Sequence, residues 1–205
     1  MALTSEKIVL AAFGIAEKHG VEALTMRSLA AKLGRRPSSL YNHIDGRVDL
    51  IERMRALIVE EIDTASFATK SWDEALIDWA ESYLAAFAQR PNCIRLLATT
   101  PITDPSVFCM YENVVGALTR AGWRDGDAVA VMRTVEAHVL GSALDLNAPS
   151  TLLSFEAVPA QLESLRRSLE PAHLALAGAE PAFALGIRAL VAGLRARLGT
   201  ARGGL

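Results

Sequence analysis

The chain has 205 residues and a formal net charge of −2, a length that allows one or two domains around a sizeable core. Apolar residues make up 51% of it, yet charges break every apolar stretch before the roughly 18 residues that a membrane span needs. Cys93 and Cys109 are too few for a disulfide framework, and the polar opening Thr4-Ser5-Glu6-Lys7 carries no secretory signal, so a cytoplasmic protein with no membrane partner is expected.

The first helix is expected from about Thr4 to His19, with Ile8, Val9, Ala12, Phe13, Ile15 and Ala16 inward and Gly20 as its stop. Thr25 is a good N-cap for a second helix, in which Met26, Leu29, Ala30 and Leu33 repeat at helical spacing. Gly34 supplies a stop that tolerates a left-handed backbone, and Pro37 suits the first turn of a third helix. Leu40 and Ile44 face inward there, which leaves Ser38, Ser39 and Asn42 facing out beside Arg35, Arg36 and Tyr41. A small, polar, basic-flanked helix after a glycine turn has the form of a helix-turn-helix that enters a major groove. The charge divides accordingly: residues 1–55 carry nine Lys/Arg against six Asp/Glu, and residues 56–205 carry twelve against seventeen. A basic end on an acidic body is a modest phosphate footprint.

Asp45 or Gly46 caps a fourth helix, about Arg47 to Asp63, in which Leu50, Ile51, Met54, Leu57, Ile58 and Ile62 hold one stripe for more than three turns. The stretch Thr64 to Lys70 lacks periodicity and marks a boundary. The expected domains are residues 1–46, which hold the helix-turn-helix, a connecting helix over 47–63, and a helical body over 64–205. Ser71 and Glu74 read as a capping box for a helix running to about Gln89, with Trp72, Leu76, Trp79, Ala80, Tyr83 and Phe87 inward. Pro91 opens a short helix, and Asp104-Pro105 opens another that Gly122 stops.

Two later helices share an unusual design. The first, Asp125 to about Leu146, carries Met132, Val135, Val139 and Leu146 on one face and the small residues Ala130, Thr134, Ala137 and Gly141 on the other. The last, about Pro181 to Leu198, sets Phe183, Ile187, Leu190, Leu194 and Leu198 against Ala182, Gly186, Ala189, Gly193 and Ala196. A glycine in a helix interior costs about 1 kcal/mol relative to alanine, so such stripes point to close backbone approach. The small faces serve either tight packing inside one subunit or a four-helix interface with the same two helices of a second copy, and a homodimer is expected. Between them Asn147 to Val158 reads as a loop and Pro159 to Leu169 as a helix with Leu162, Leu165 and Leu169; a short tail is Gly-rich at Gly203-Gly204. The fold class is all-α.

No nucleophile elbow, phosphate loop or cofactor fingerprint is present, and His19, His43, His138 and His173 have no ligand spacing, so neither an enzyme, a cofactor nor a metal site is expected. Neither cysteine has a cluster of cations near it in sequence, so neither reads as a redox sensor.

The first quarter of the chain closely resembles the DNA-binding domain of the tetracycline-repressor (TetR) family. The residues that carry the resemblance are Ala11-Ala12-Phe13, Gly20, the run Leu24 to Ala30, Leu33-Gly34, Leu40-Tyr41-x-His43, and Arg47 with Leu50. Arg35 stands where the family usually has a buried Val, Ile44 replaces an aromatic residue, and Arg47 replaces a Lys. Within this motif Arg27, Arg36, Ser38, Ser39 and Asn42 are candidates for base edges, since Arg fits the guanine edge and Asn the adenine edge. The resemblance gives Thr25, Tyr41, His43 and Arg47 phosphate roles, with Pro37 opening the reading helix. It also implies dimerisation through the last helices and a ligand cavity in the middle of the body. The aromatic residues crowd there: Trp79, Tyr83, Phe87, Phe108 and Tyr111, with His138, are either ordinary core or the lining of a pocket. The function implied is a sequence-specific transcriptional regulator, a repressor that binds a palindromic double-stranded DNA operator as a homodimer and is released by a mostly apolar small-molecule effector. The alternatives are an activator or ligand-independent regulator, and a helical small-molecule binding protein with a vestigial head.

Overall fold

A computed structural model describes residues 3–149, 154–173 and 176–203. Its helices are α1 (Ser5–His19), α2 (Met26–Lys32), α3 (Pro37–Leu40), α4 (Arg47–Val59), α5 (Ser66–Thr69), α6 (Trp72–Ala88), α7 (Pro91–Thr99), α8 (Pro105–Arg120), α9 (Asp125–Leu146), α10 (Glu163–Ser168) and α11 (Ala179–Gly203). Among the described residues there is no strand, and no helix is long and apolar enough to cross a membrane.

The N-terminal helices close around Ile8, Ala12, Leu24, Leu29, Leu40, Ile44 and Leu50, all buried. A four-residue helix such as α3 has no stability of its own. Leu40 and Ile44 hold it down, and truncating a buried leucine of this kind to alanine typically costs about 2–5 kcal/mol. The turn before it is a Schellman motif: Gly34 sits at φ 63°, its N–H donates to the Ala31 carbonyl at 3.1 Å, and the Arg35 N–H donates to that of Ala30 at 2.9 Å. Because Arg35 follows the turn and points to solvent, it does not need the burial that a Val in its place seeks.

In the body, α9 is the central rod, packed by α6, α7, α8 and α11. Trp79, Leu76, Ile94, Leu118, Val135 and Val139 form the dry centre. A second Schellman motif turns the chain from α8 to α9. Gly122 donates to Thr119 at 2.9 Å and Trp123 to Leu118 at 3.1 Å, while the Trp123 and Leu118 side chains are themselves buried, the apolar contact that accompanies this cap.

Arg90 and Asn92, where α6 gives way to α7, help to join the N-terminal helices to the body. The Arg90 guanidinium pairs with both oxygens of Glu61, at 2.6 and 3.2 Å, and lies 4.9 Å from the centroid of the Phe13 ring on α1. Asn92 Nδ2, in the first turn of α7, donates to the Glu17 carbonyl at 3.0 Å.

Several boundaries differ from the sequence reading. Helix α4 ends at Val59 because the next residues tighten into shorter-ring bonds, Glu61 to Ile58 and Ile62 to Val59, both 3.0 Å. Asp63 then turns its carboxylate onto the Ala65 N–H at 2.7 Å, and the aperiodic stretch after it contains the short α5 with Phe67 buried. The Ser71 hydroxyl donates to Glu74 Oε2 at 2.7 Å rather than capping a backbone N–H, so the capping box is not formed. The expected Pro159–Leu169 helix is shorter, since Leu162 N bonds back to Pro159 O at 3.0 Å in a turn, and Leu162 and Leu165 are exposed while Leu169 is buried. Helix α11 runs longer than expected at both ends and takes in Gly203, while Gly204 and residues 150–153 of the expected loop lie outside the described residues.

Candidate nucleic-acid interface and body cavity

The outward surface of α2 and α3 gathers most of the residues expected to meet DNA. Arg27, Arg36, Pro37, Ser38, Tyr41 and Asn42 are exposed, and Ser39 and His43 are half-buried at its edge. Thr25 and Ser28 cap each other at the entrance to α2. Thr25 Oγ1 accepts from the Ser28 N–H at 3.0 Å, and Ser28 Oγ accepts from the Thr25 N–H at 3.0 Å and donates to the Ala23 carbonyl at 2.7 Å. The Thr25 methyl and hydroxyl stay at the exposed surface. Sequence reasoning missed Ser28, although the Thr-x-x-Ser spacing is a capping box with serine in place of the usual acid. Arg47 is exposed beside this surface, and its guanidinium donates to the Leu24 carbonyl just ahead of α2, which ties α4 to α2.

In the body, α4, α6, α7, α8 and α9 surround a cavity of about 160 Å³. Tyr83, Phe87 and Tyr111 line it as expected. Trp79, Phe108 and His138 do not. Trp79 is fully buried, edge-on to Tyr83 with ring centroids 5.4 Å apart. Val107, Met110 and Tyr111 on α8 face the cavity, and Phe108 lies about 100° round the helix from Val107 and is exposed. His138 is turned toward α11, where its ring stacks on Phe183 at 5.3 Å and Nε2 lies 3.2 Å from the Phe183 carbonyl oxygen.

The polar floor of the cavity was not anticipated. Glu136 is 9% exposed, and its Oε1 accepts from the hydroxyls of Tyr83 at 2.9 Å and Tyr111 at 2.5 Å. Burial, then the charge of Glu136, raises the pKa of both phenols, so they remain protonated donors. The signal was present in the sequence: an acid between Val135 and Val139, on the side of α9 that also carries Met132. Arg55, on α4, also reaches the cavity. It is paired with Glu52, and its NH2 donates to the carbonyls of Leu97 and Thr100, each at 2.8 Å. Glu52 Oε2 in turn accepts from Asp104 N at 2.9 Å and Thr103 Oγ1 at 3.1 Å. Both partners of this buried pair are thus hydrogen-bonded to the α7–α8 loop, the condition under which a buried ion pair is tolerable. Among the described residues no group of three or more His, Cys, Asp or Glu is placed to hold a metal ion.

The small-residue stripes of α9 and α11 border a shallow groove that includes Thr134, His138, Gly186, Ala189 and Gly193. Ala130, Thr134, Ala137, Gly141, Ala182, Ala189 and Gly193 are exposed or half-exposed in the single chain, and a Cβ built on Gly141 or Gly193 meets nothing within 4 Å. Gly186 departs from the pattern. A Cβ there would run into the His138 ring at Cε1, so this glycine makes room for its own chain's histidine. Ala137 also lines the cavity.

The all-helical body matches one family model over residues 68–198, described as "Tetracyclin repressor-like, C-terminal domain". The chain belongs to the tetracycline-repressor-like family. Among the relatives, the HTH-type transcriptional repressor DrrR1 of Streptomyces coeruleorubidus is 30% identical over 142 residues, which are 69% of this chain and 53% of that protein. The chain thus spans about half the length of that relative. An HTH-type transcriptional regulator of Saccharopolyspora erythraea is 29% identical across 96% of this chain and 86% of its own. The crystal structure of a TetR variant from Acinetobacter baumannii AYE in complex with minocycline superposes with a TM-score of 0.75, at 25% identity over 95% of this chain and 94% of that one. This TetR-type chain is a transcriptional regulator of the DNA-binding, helix-turn-helix kind.

Proposed function

We propose that this regulator is a repressor that binds a palindromic DNA operator as a homodimer in the cytoplasm and is released by a small, mostly apolar effector held in the body cavity. The observation that carries the reading is the exposed polar face of α2 and α3 beyond the Gly34 turn, a short helix anchored from behind and open in front. Arg27, Arg36, Ser38, Ser39 and Asn42 are assigned to base edges, and Tyr41, His43 and Thr25 to phosphates. The division into residues 1–46, 47–63 and 64–205 belongs to the same reading. The relative named as a repressor and the neighbour solved with minocycline support the sign of regulation and the use of the cavity.

The groove between α9 and α11, with open space over Gly141 and Gly193, supports dimerisation there. A two-fold dimer would set two reading heads against two half-sites spaced about one DNA turn, roughly 34 Å, apart. The experiment is selection of bound duplexes from a random pool, followed by binding to the selected site and a scrambled site over a salt series. The reading requires a palindromic site, a strong salt dependence and a compound that lowers operator affinity; binding that ignores sequence and salt would return the head to a vestigial role.

A further inference from the structure

We infer that the body cavity recognises a small organic cation, a protonated amine carried on a single aromatic or compact apolar ring, with Glu136 Oε2 as its partner. This rests on the reading of the body as a sensor and names the chemistry it senses. Both tyrosine donors on Glu136 go to Oε1, and among the described residues nothing donates to Oε2. No Lys, Arg or His among them forms an ion pair with Glu136 either. A carboxylate about nine-tenths buried, on a cavity wall and ion-paired with no basic side chain among the described residues, favours the arrival of a cation.

The other charges at the cavity do not supply that cation. Arg55 is neutralised by Glu52 and spent on loop carbonyls. Arg133 also lines the cavity, one helical turn from Glu136, but it is an exposed side chain and forms no ion pair with that carboxylate. The tyrosines, kept protonated by burial and by Glu136 itself, remain donors to Oε1. Above it, Phe87 and Tyr83, with centroids 5.0 Å apart, offer aromatic surface to a cation, and Met110 and Ile102 offer apolar surface to a ring. The volume of about 160 Å³ is close to the roughly 150 Å³ in which an apolar cavity holds benzene. A neutral alcohol can donate to Oε2 but leaves the charge uncompensated, and a carboxylate ligand is repelled.

The test compares benzylamine, benzyl alcohol and benzoate on the full chain by calorimetric or NMR titration near neutral pH. Benzylamine is expected to bind at least about tenfold more tightly than benzyl alcohol, with benzoate weakest. Glu136→Gln keeps an oxygen for both tyrosines and replaces Oε2 by a donor. It is expected to weaken benzylamine by about tenfold or more and to leave benzyl alcohol nearly unchanged. Equal or tighter binding of benzyl alcohol, or benzylamine binding that survives Glu136→Gln, overturns the inference. If the variant does not fold, the comparison of the three probes on the wild-type chain decides alone. Failure of all three probes while a broader screen still finds a compound that releases operator removes the cation and leaves the sensor standing; failure of both removes both.

Discussion

Arg55 donates to the carbonyl oxygen of Thr100 at 2.8 Å, and both residues line the same cavity. The helix that leaves the helix-turn-helix end is therefore fastened to the loop that walls the cavity. Any molecule that displaces this loop works directly on α4. Linkage then requires operator DNA to weaken the ligand by the same factor that the ligand weakens DNA, typically about 5- to 150-fold.

Removing Arg55 leaves Glu52 buried with its charge unmatched. Arg55→Ala is expected to lower unfolding free energy by about 3–5 kcal/mol, and Arg55→Lys by less, since one ammonium keeps the charge but not the planar fork. Urea unfolding of the three proteins measures this. A loss near zero for Arg55→Ala would mean that solvent reaches the pair freely.

Arg27 and Arg47 are expected to separate. Arg27→Ala removes an exposed guanidinium from the reading face and is expected to cost about 1–3 kcal/mol on the operator while sparing scrambled DNA. Arg47 holds the Leu24 carbonyl, so Arg47→Ala is expected to lower folding stability by about 1–2 kcal/mol with the operator-to-scrambled ratio little changed. Duplex titrations alongside thermal unfolding distinguish the two patterns, and identical behaviour of the variants would sink the division.

Gly186 and Gly193, both on α11, are expected to behave differently. Gly186→Ala pushes a methyl group into His138 and is expected to destabilise the subunit by about 1–3 kcal/mol, whatever its assembly state. Gly193→Leu meets open space within the chain and is expected to leave helix content intact while shifting the dimer toward monomer. Sedimentation and circular dichroism on both variants decide, and a Gly193→Leu protein that remains fully dimeric moves the interface elsewhere.

Tyr83 and Tyr111 hold their phenols above the ordinary range, first through burial and then through Glu136. A raised phenol pKa means that the folded chain keeps a proton which the unfolded chain releases. Their unfolded values lie near 10, so the stability they contribute is complete below about pH 10 and is lost as pH rises through the folded values. Denaturant unfolding across that alkaline window is expected to fall more steeply for the wild type than for the Tyr83→Phe/Tyr111→Phe double variant. Parallel slopes would show that the phenols ionise alike in both states.

The N-terminal helices were legible because their signals are local: a threonine cap, a glycine stop, a proline start and apolar residues at helical spacing. The face of α9 that holds Glu136 was legible only in part. A single acid among valines carries no label for the two tyrosines that reach it from 53 and 25 residues away. Arg55 has the same history, since its carbonyl partners lie 42 and 45 positions along the chain. His138 and Gly186 both fall within the helices expected for them, but their mutual fit depends on how α9 and α11 are turned against each other, which periodicity does not specify.

The thirteen residues of α4 make a rod about 20 Å long, at roughly 1.5 Å per residue. Swinging such a rod by about 10° carries its far end some 3.5 Å, close to the roughly 3.4 Å rise of one nucleotide along a DNA strand. A loop shift that turns α4 by that small angle therefore offsets the reading helix by a whole step of the duplex, and the register of contacts fails at once rather than loosening by degrees.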